Sequence, residues 1–289
     1  MRFYGKQCLH IILLLTLLLL GVGCTDDAPS AESDVQQAIT FEVTEEAWKD
    51  ERVQITRSDA TMLEGLKAAD FGLYCSEFHL KDRVVRWNGS KWDYGNTFLL
   101  PVGKNLTISV YAYAPFYWGG YDPMDMGSVE DKTIEFPCGA GNWVDLLWAN
   151  QENVVCTGEV TLNFQHALGK LTLGTITNNY GRSVTLTNIS LSGFHDKGNL
   201  SLVNGNWTNK TGTHAITHSL GLTVADGEAK NIGVFSVMQI PCDAVAVVLN
   251  FTCDDFGTET VTFNTTLEQG KNKTLNITIT NNFEVVIAP

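Results

Sequence analysis

The sequence predicts an all-β protein, and three observations carry that prediction. Apolar and polar residues alternate with a period of two along most of the chain. Leu106, Ile108, Val110 and Ala112 alternate with Thr107, Ser109, Tyr111 and Tyr113, and Val160, Leu162 and Phe164 alternate with Thr161 and Asn163. Val184 and Leu186 alternate with Thr185 and Thr187, and Leu275, Ile277 and Ile279 alternate with Asn276, Thr278 and Thr280. Turn chemistry separates these runs, as at Asn88-Gly89-Ser90, Asn204-Gly205-Asn206 and Ala225-Asp226-Gly227. Helical periodicity is nearly absent, and only Met62 to Ala69 reads as a short helix. Strict alternation sets one face on a core and the other in water, the pattern of an antiparallel sandwich. Two stretches, Ala244 to Phe251 and Phe283 to Ile287, are apolar on both faces and read as central strands or strands awaiting a partner.

The chain begins with a different signature. Arg2 and Lys6 form a positive head, followed by an apolar run from Ile11 to Leu20 broken only by Thr16. A stable membrane-spanning helix needs about 20 apolar residues, so this shorter run fits a secretory signal peptide. It ends in Leu20-Gly21-Val22-Gly23-Cys24, which resembles the lipobox of bacterial lipoproteins, with Cys24 as the thiol that is acylated. The competing reading is an ordinary signal peptide with Cys24 incidental. Residues 25 to about 37 are acidic and small and read as a tether. The expected organisation is a lipoprotein signal peptide over 1–23, a tether over 24–37, and β-sandwiches over 38–152 and 153–289, divided near Ala149-Asn150-Gln151-Glu152-Asn153.

Charge and cysteines exclude several function classes. The formal net charge is −13, and losing Arg2 and Lys6 with the signal peptide makes it −15. Nucleic-acid affinity rests on Lys and Arg neutralising phosphates, so no nucleic-acid partner is expected, and a polybasic membrane patch is equally unsupported. Beyond Cys24 lie Cys75, Cys138, Cys156, Cys242 and Cys253, an odd number with no CxxC pair, which points to no zinc ribbon and no thioredoxin-type site. Cys138 with Cys156, or Cys242 with Cys253, are conceivable pairs in an oxidising compartment.

No residue pattern indicates catalysis, a cofactor or a metal. His214 and His218 have a helical ligand spacing but lie in a Thr- and Ser-rich stretch that reads as strand or loop. His166, just past a strand, reads as a structural histidine, and His195-Asp196 sits in a turn. Asp122, Asp125 and Asp131 do not match an EF-hand loop. No GxSxG elbow, HExxH helix or P-loop occurs. A hydrolase would need a carboxylate dyad that the sequence does not single out. The aromatics Tyr111, Tyr113, Phe116, Tyr117, Trp118 and Tyr121 crowd a Gly-rich loop, where they either plug the end of a sandwich or stack on sugar rings.

Several short segments, in order, resemble the fimbrillin (Mfa-like) lipoproteins of anaerobic Gram-negative bacteria. They are Ile39-Thr40-Phe41 with Thr56-Arg57, Phe71-Gly72-Leu73-Tyr74, Ile108 to Pro115, Asp145-Leu146-Leu147-Trp148-Ala149, and Val160 to Leu171 with its Phe-x-His-x-Leu core at Phe164, His166 and Leu168. The resemblance implies two transthyretin-like β-sandwich domains and a fimbrial subunit that serves adhesion. It implies an outer-membrane lipoprotein at the cell surface, found in the fimbrium after assembly with other fimbrial subunits. Assembly would follow cleavage past Arg57, when a strand from the next subunit replaces the lost N-terminal strands. Phe283, Val285 and Ile287 are the candidate donor strand; the competing reading makes them the last strand of their own domain. The alternative function is a monomeric surface lipoprotein that binds a host or bacterial surface glycan through Tyr117, Trp118 and Tyr121.

Overall fold

The computed structural model describes residues 36–50, 60–95, 99–101, 105–117, 132–141, 144–232, 235–253, 257–281 and 285–288; Cys24, Arg57, Trp118, Tyr121 and Phe283 lie outside them. In chain order the first half holds β1 (Gln36–Ala38), β2 (Thr40–Glu45), β3 (Lys49–Asp50), the helix α1 (Ala60–Ala69), β4 (Phe71–Cys75), β5 (Leu80–Trp87), β6 (Trp92–Asp93) and β7 (Leu99–Pro101). It continues with β8 (Leu106–Ala114), β9 (Thr133–Pro137), β10 (Leu147–Cys156) and β11 (Glu159–His166). The second half holds β12 (Gly169–Asn179), β13 (Val184–Phe194), β14 (Lys197–Ser201), β15 (Trp207–Thr211), β16 (His214–Val224) and β17 (Ala229–Asn231). The last strands are β18 (Ser236–Gln239), β19 (Cys242–Cys253), β20 (Gly257–Leu267), β21 (Lys271–Thr280) and β22 (Val285–Ala288). The all-β prediction holds, and the helix falls where Met62–Ala69 reads as one.

Seven strands of the first half form one sheet in the order β2-β11-β10-β8-β4-β5-β6. Its inner face buries the alternating series Val160, Leu162 and Phe164 together with Phe71, Leu73, Ile108, Val110 and Val85. The sheet curls until its edges meet: Phe41 of β2 packs edge-on to Tyr94 at 5.5 Å, and the Tyr94 hydroxyl donates to the Ile39 carbonyl at 3.0 Å.

In the second half, two sheets face each other across one core. Strand β12 pairs in parallel with β21, which β22 flanks, while β17 and β18 line the other side of β12. The opposing sheet runs β16-β13-β19-β20. Val184 and Leu186 from β13, with Val245, Val247, Leu249 and Phe251 from β19, meet Leu171, Leu173, Leu275, Ile277 and Ile279 from the first. The doubly apolar stretch Ala244–Phe251 is therefore a central strand. On the wet face, hydroxyls pair across strands, as Thr185 with Thr223 at 2.9 Å and Ser190 with Thr217 at 3.0 Å.

Two expectations change. Alternation in β8 places Tyr111 and Tyr113 toward water, yet both are buried. The cause is a third sheet, β15-β14-β9, drawn from both halves, whose Ile134, Phe136 and Leu200 pack against that outer face. The Tyr113 hydroxyl donates to Asp82 at 2.6 Å, and that of Tyr111 to Glu152 at 2.7 Å. The five cysteines beyond Cys24 are free and buried. Cys242 and Cys253 end the same extended strand, which at ~3.3 Å per residue separates them far beyond the reach of a disulfide. Cys138 donates instead to the Gln239 side-chain oxygen at 3.0 Å.

Candidate functional site: the seat of the N-terminal strand

The segment from Gln36 to Asp50 threads along the rest of the molecule and pairs in turn with β7, β11 and β21. Its central piece, β2, is an edge strand that runs parallel to β11, from Thr40 opposite Glu159 to Glu45 opposite Phe164. Thr40 and Glu46 donate backbone N–H bonds to the Gly158 and Phe164 carbonyls, each at 2.8 Å. Outward-facing side chains extend the ladder: the Thr44 hydroxyl donates to Asn163 at 3.0 Å, and the Asn163 amide donates to Glu46 at 3.0 Å. Inward, Ile39, Phe41 and Val43 are buried in the core of the first sheet.

The period of two carries that inward series on to Glu45. The same happens on two neighbouring segments. His166 follows Val160, Leu162 and Phe164 on β11, and Asp145 precedes Leu147 and Ala149 on β10. Because Leu147 pairs with His166, the imidazole Nδ1 lies 2.7 Å from Asp145 Oδ2. The two segments that resemble fimbrillins around Asp145 and His166 thus meet in one hydrogen-bonded contact. Trp48 stacks on the His166 ring at 3.9 Å, with an interplanar angle of 19°. Burial pushes the Glu45 carboxyl up to about 7; the charge of His166 opposes the rise and that of Asp145 adds to it. Glu45, Trp48 and Asp145 border a cavity of about 510 Å³, together with Leu66, Pro115 and Lys170.

The residues singled out from the sequence fall apart in space. Tyr117 is 53% exposed and sits edge-on to buried Phe116 at 4.5 Å, while its proposed companions Trp118 and Tyr121 lie outside the described residues. Tyr111, Tyr113 and Phe116 belong to the core. Val285 and Ile287 lie on β22, antiparallel to β21 and opposite Ile279 and Ile277. His214 and His218 share β16 and do not converge: His214 contacts Asp196 at 2.9 Å and His218 stacks on Phe235 at 4.4 Å. Glu45 and Trp48 escape sequence reasoning, although Glu45 gives a signal, a carboxylate placed where the alternation asks for an apolar residue.

A family profile described as fimbrillin-like matches residues 42–289. Three solved structures share the fold. A candidate cell-adhesion protein of Bacteroides ovatus superposes with a TM-score of 0.56 at 17% identity, over 88% of this chain and 96% of its own. One from Parabacteroides distasonis gives 0.54 at 10% identity, covering 88% and 90%. One from Bacteroides uniformis gives 0.52 at 17% identity, covering 88% and 97%. No curated protein matches the chain.

Proposed function

Because the chain belongs to the fimbrillin-like family, we propose that it is a fimbrial subunit that serves adhesion, delivered to the outer membrane as a lipoprotein acylated on Cys24. In this reading a trypsin-like cut past Arg57 releases the N-terminal strands, and a strand from the next subunit takes their place. The observation that carries it is the seating of β2. Among the described residues β2 pairs within that sheet only with β11, and it buries Phe41 and Val43, with Ile39 just ahead of it. Its departure leaves an open edge of unpaired N–H and C=O groups beside an apolar groove, a template for β-augmentation. The terminal strand β22 is the donor we favour, since it too is an edge strand, held by β21. Other fimbrial subunits are the partners this assembly requires.

The test is an arginine-specific digest of the Cys24→Ser chain, followed by denaturing electrophoresis without boiling. The expected result is a clean cut after Arg57 and a ladder of resistant oligomers, lost when residues 283–289 are deleted. A chain that is cut and stays monomeric overturns strand exchange. The exposed ring of Tyr117 supports a second reading, a monomeric lipoprotein that binds surface glycan. That reading predicts sugar-dependent protection of tryptophan fluorescence without any polymer.

A further inference from the structure

Three adjacent segments of one sheet each end their inward-facing series with a group that can ligate a metal: Glu45 closing β2, Asp145 ahead of β10 and His166 closing β11. One ligand atom from each lies within 4.8 Å of the other two. The site is buried on the histidine side, where the His166 side chain is 1% exposed, and reaches the cavity on the carboxylate side, where Asp145 is 27% exposed. It is also incomplete, because Glu45 Oε2, Asp145 Oδ1 and His166 Nε2 are buried without a hydrogen-bond partner. A buried carboxylate oxygen left unpaired is costly, and buried charges in folded proteins are paired or coordinate metals. Lys170 borders the same cavity, with its ammonium 5.8 Å from the centre of the Trp48 ring.

We propose that Glu45, Asp145 and His166 form a binding site for a divalent transition ion, zinc or manganese, that clips the end of β2 to the β10–β11 hairpin. One imidazole nitrogen and two carboxylates are a borderline donor set suited to these ions. His166 ligates through Nδ1, the nitrogen facing Asp145. The present Nδ1 to Oδ2 separation of 2.7 Å must open by roughly 0.6 Å when a tetrahedral ion with bonds of about 2.0–2.2 Å replaces the hydrogen bond. Nε2 then keeps the ring proton. A second cavity of about 290 Å³, lined by His166 with Gln165 and Gln269, leaves room for water to accept it. The 510 Å³ cavity supplies the entry path and water for the open coordination positions. The site stands whether or not the chain polymerises; if it does, the ion opposes release of β2.

The experiment titrates the chelator-stripped full-length chain with zinc and, separately, manganese by calorimetry, alongside Glu45→Gln, Asp145→Asn and His166→Gln. The expected result is one ion per chain, at least tenfold weaker binding in each carboxylate variant, and loss of binding in His166→Gln. The ion should also slow hydrogen exchange at the Glu46 amide. Glu45→Gln is isosteric and sits on an edge strand, so it keeps the test valid if the histidine variant does not fold. No stoichiometric binding by the wild-type chain, or equal binding by Glu45→Gln, overturns the site. In the first case the three groups share a proton only, and in the second the ion sits elsewhere. Either failure is read on the monomer and leaves strand exchange to its own assay.

Discussion

Replacing Phe41 with alanine tests whether β2 is a separable element or an inseparable part of the core. The ring is 8% exposed and packs edge-on to Tyr94 at 5.5 Å. Truncating a buried phenylalanine costs about 3–5 kcal/mol, including the loss of an aromatic pair worth about 0.5–1.5 kcal/mol. Phe41 lies on an edge strand, where neighbours can close part of the space, so we take the low end, about 3 kcal/mol. At about 1.4 kcal/mol per decade, that raises the population with β2 detached roughly 100-fold. Native-state hydrogen exchange reads this population at the Thr40 and Glu46 amides, which donate to the Gly158 carbonyl just before β11 and the Phe164 carbonyl within it. Exchange there should quicken about 100-fold, while amides of β13 and β19 in the second core hold their rates. After the arginine-specific cut, oligomers should also form faster. Exchange within threefold of wild type at both amides, or equal acceleration across the molecule, refutes the separable-strand argument. The first outcome means Phe41 does not hold β2, and the second that β2 leaves only on global unfolding.

Three further outcomes follow from packing. Gly205 has φ +72° and a Cβ there would run into the Trp148 ring, so Gly205→Ala should cost about 2–4 kcal/mol in urea unfolding. Asn178, fully buried, donates to the Arg182 and Val224 carbonyls and accepts from the Tyr180 amide, so Asn178→Ala should cost about 3 kcal/mol by the same measurement. The five cysteines from Cys75 onward should resist a thiol reagent in the native chain and all react in denaturant. Burial also raises the thiols of Cys75 to about 12 and of Cys242 to about 11, which keeps them protonated. A thiol titre short by two in denaturant would reveal a disulfide.

What could be read from the sequence was whatever depends on neighbours along the chain. The period of two identifies β11, β13 and β21 and assigns their buried faces, because pleating fixes which side chains share a side regardless of what covers them. The short helix and the Asn-Gly turns are local for the same reason. Alternation also marks Ile39, Phe41 and Val43 as one face of a strand, yet it cannot say that this strand lies parallel to β11, more than 100 residues away. Nor could it foresee that a third sheet, assembled from β9, β14 and β15, covers Tyr111 and Tyr113. A strand pattern reports one buried face, whereas a second cover is a property of chain path. The candidate site divides along the same line. The segments around Asp145 and His166 stood out individually, but the register of β10 on β11 brings their side chains to 2.7 Å, and the parallel pairing of β2 adds Glu45. Local alternation and turn chemistry were enough for the main strands, their inner faces and the family resemblance. Which inner-facing polar residues share one end of one sheet depends on hydrogen-bond register between distant strands, and that register is set by the whole packed core.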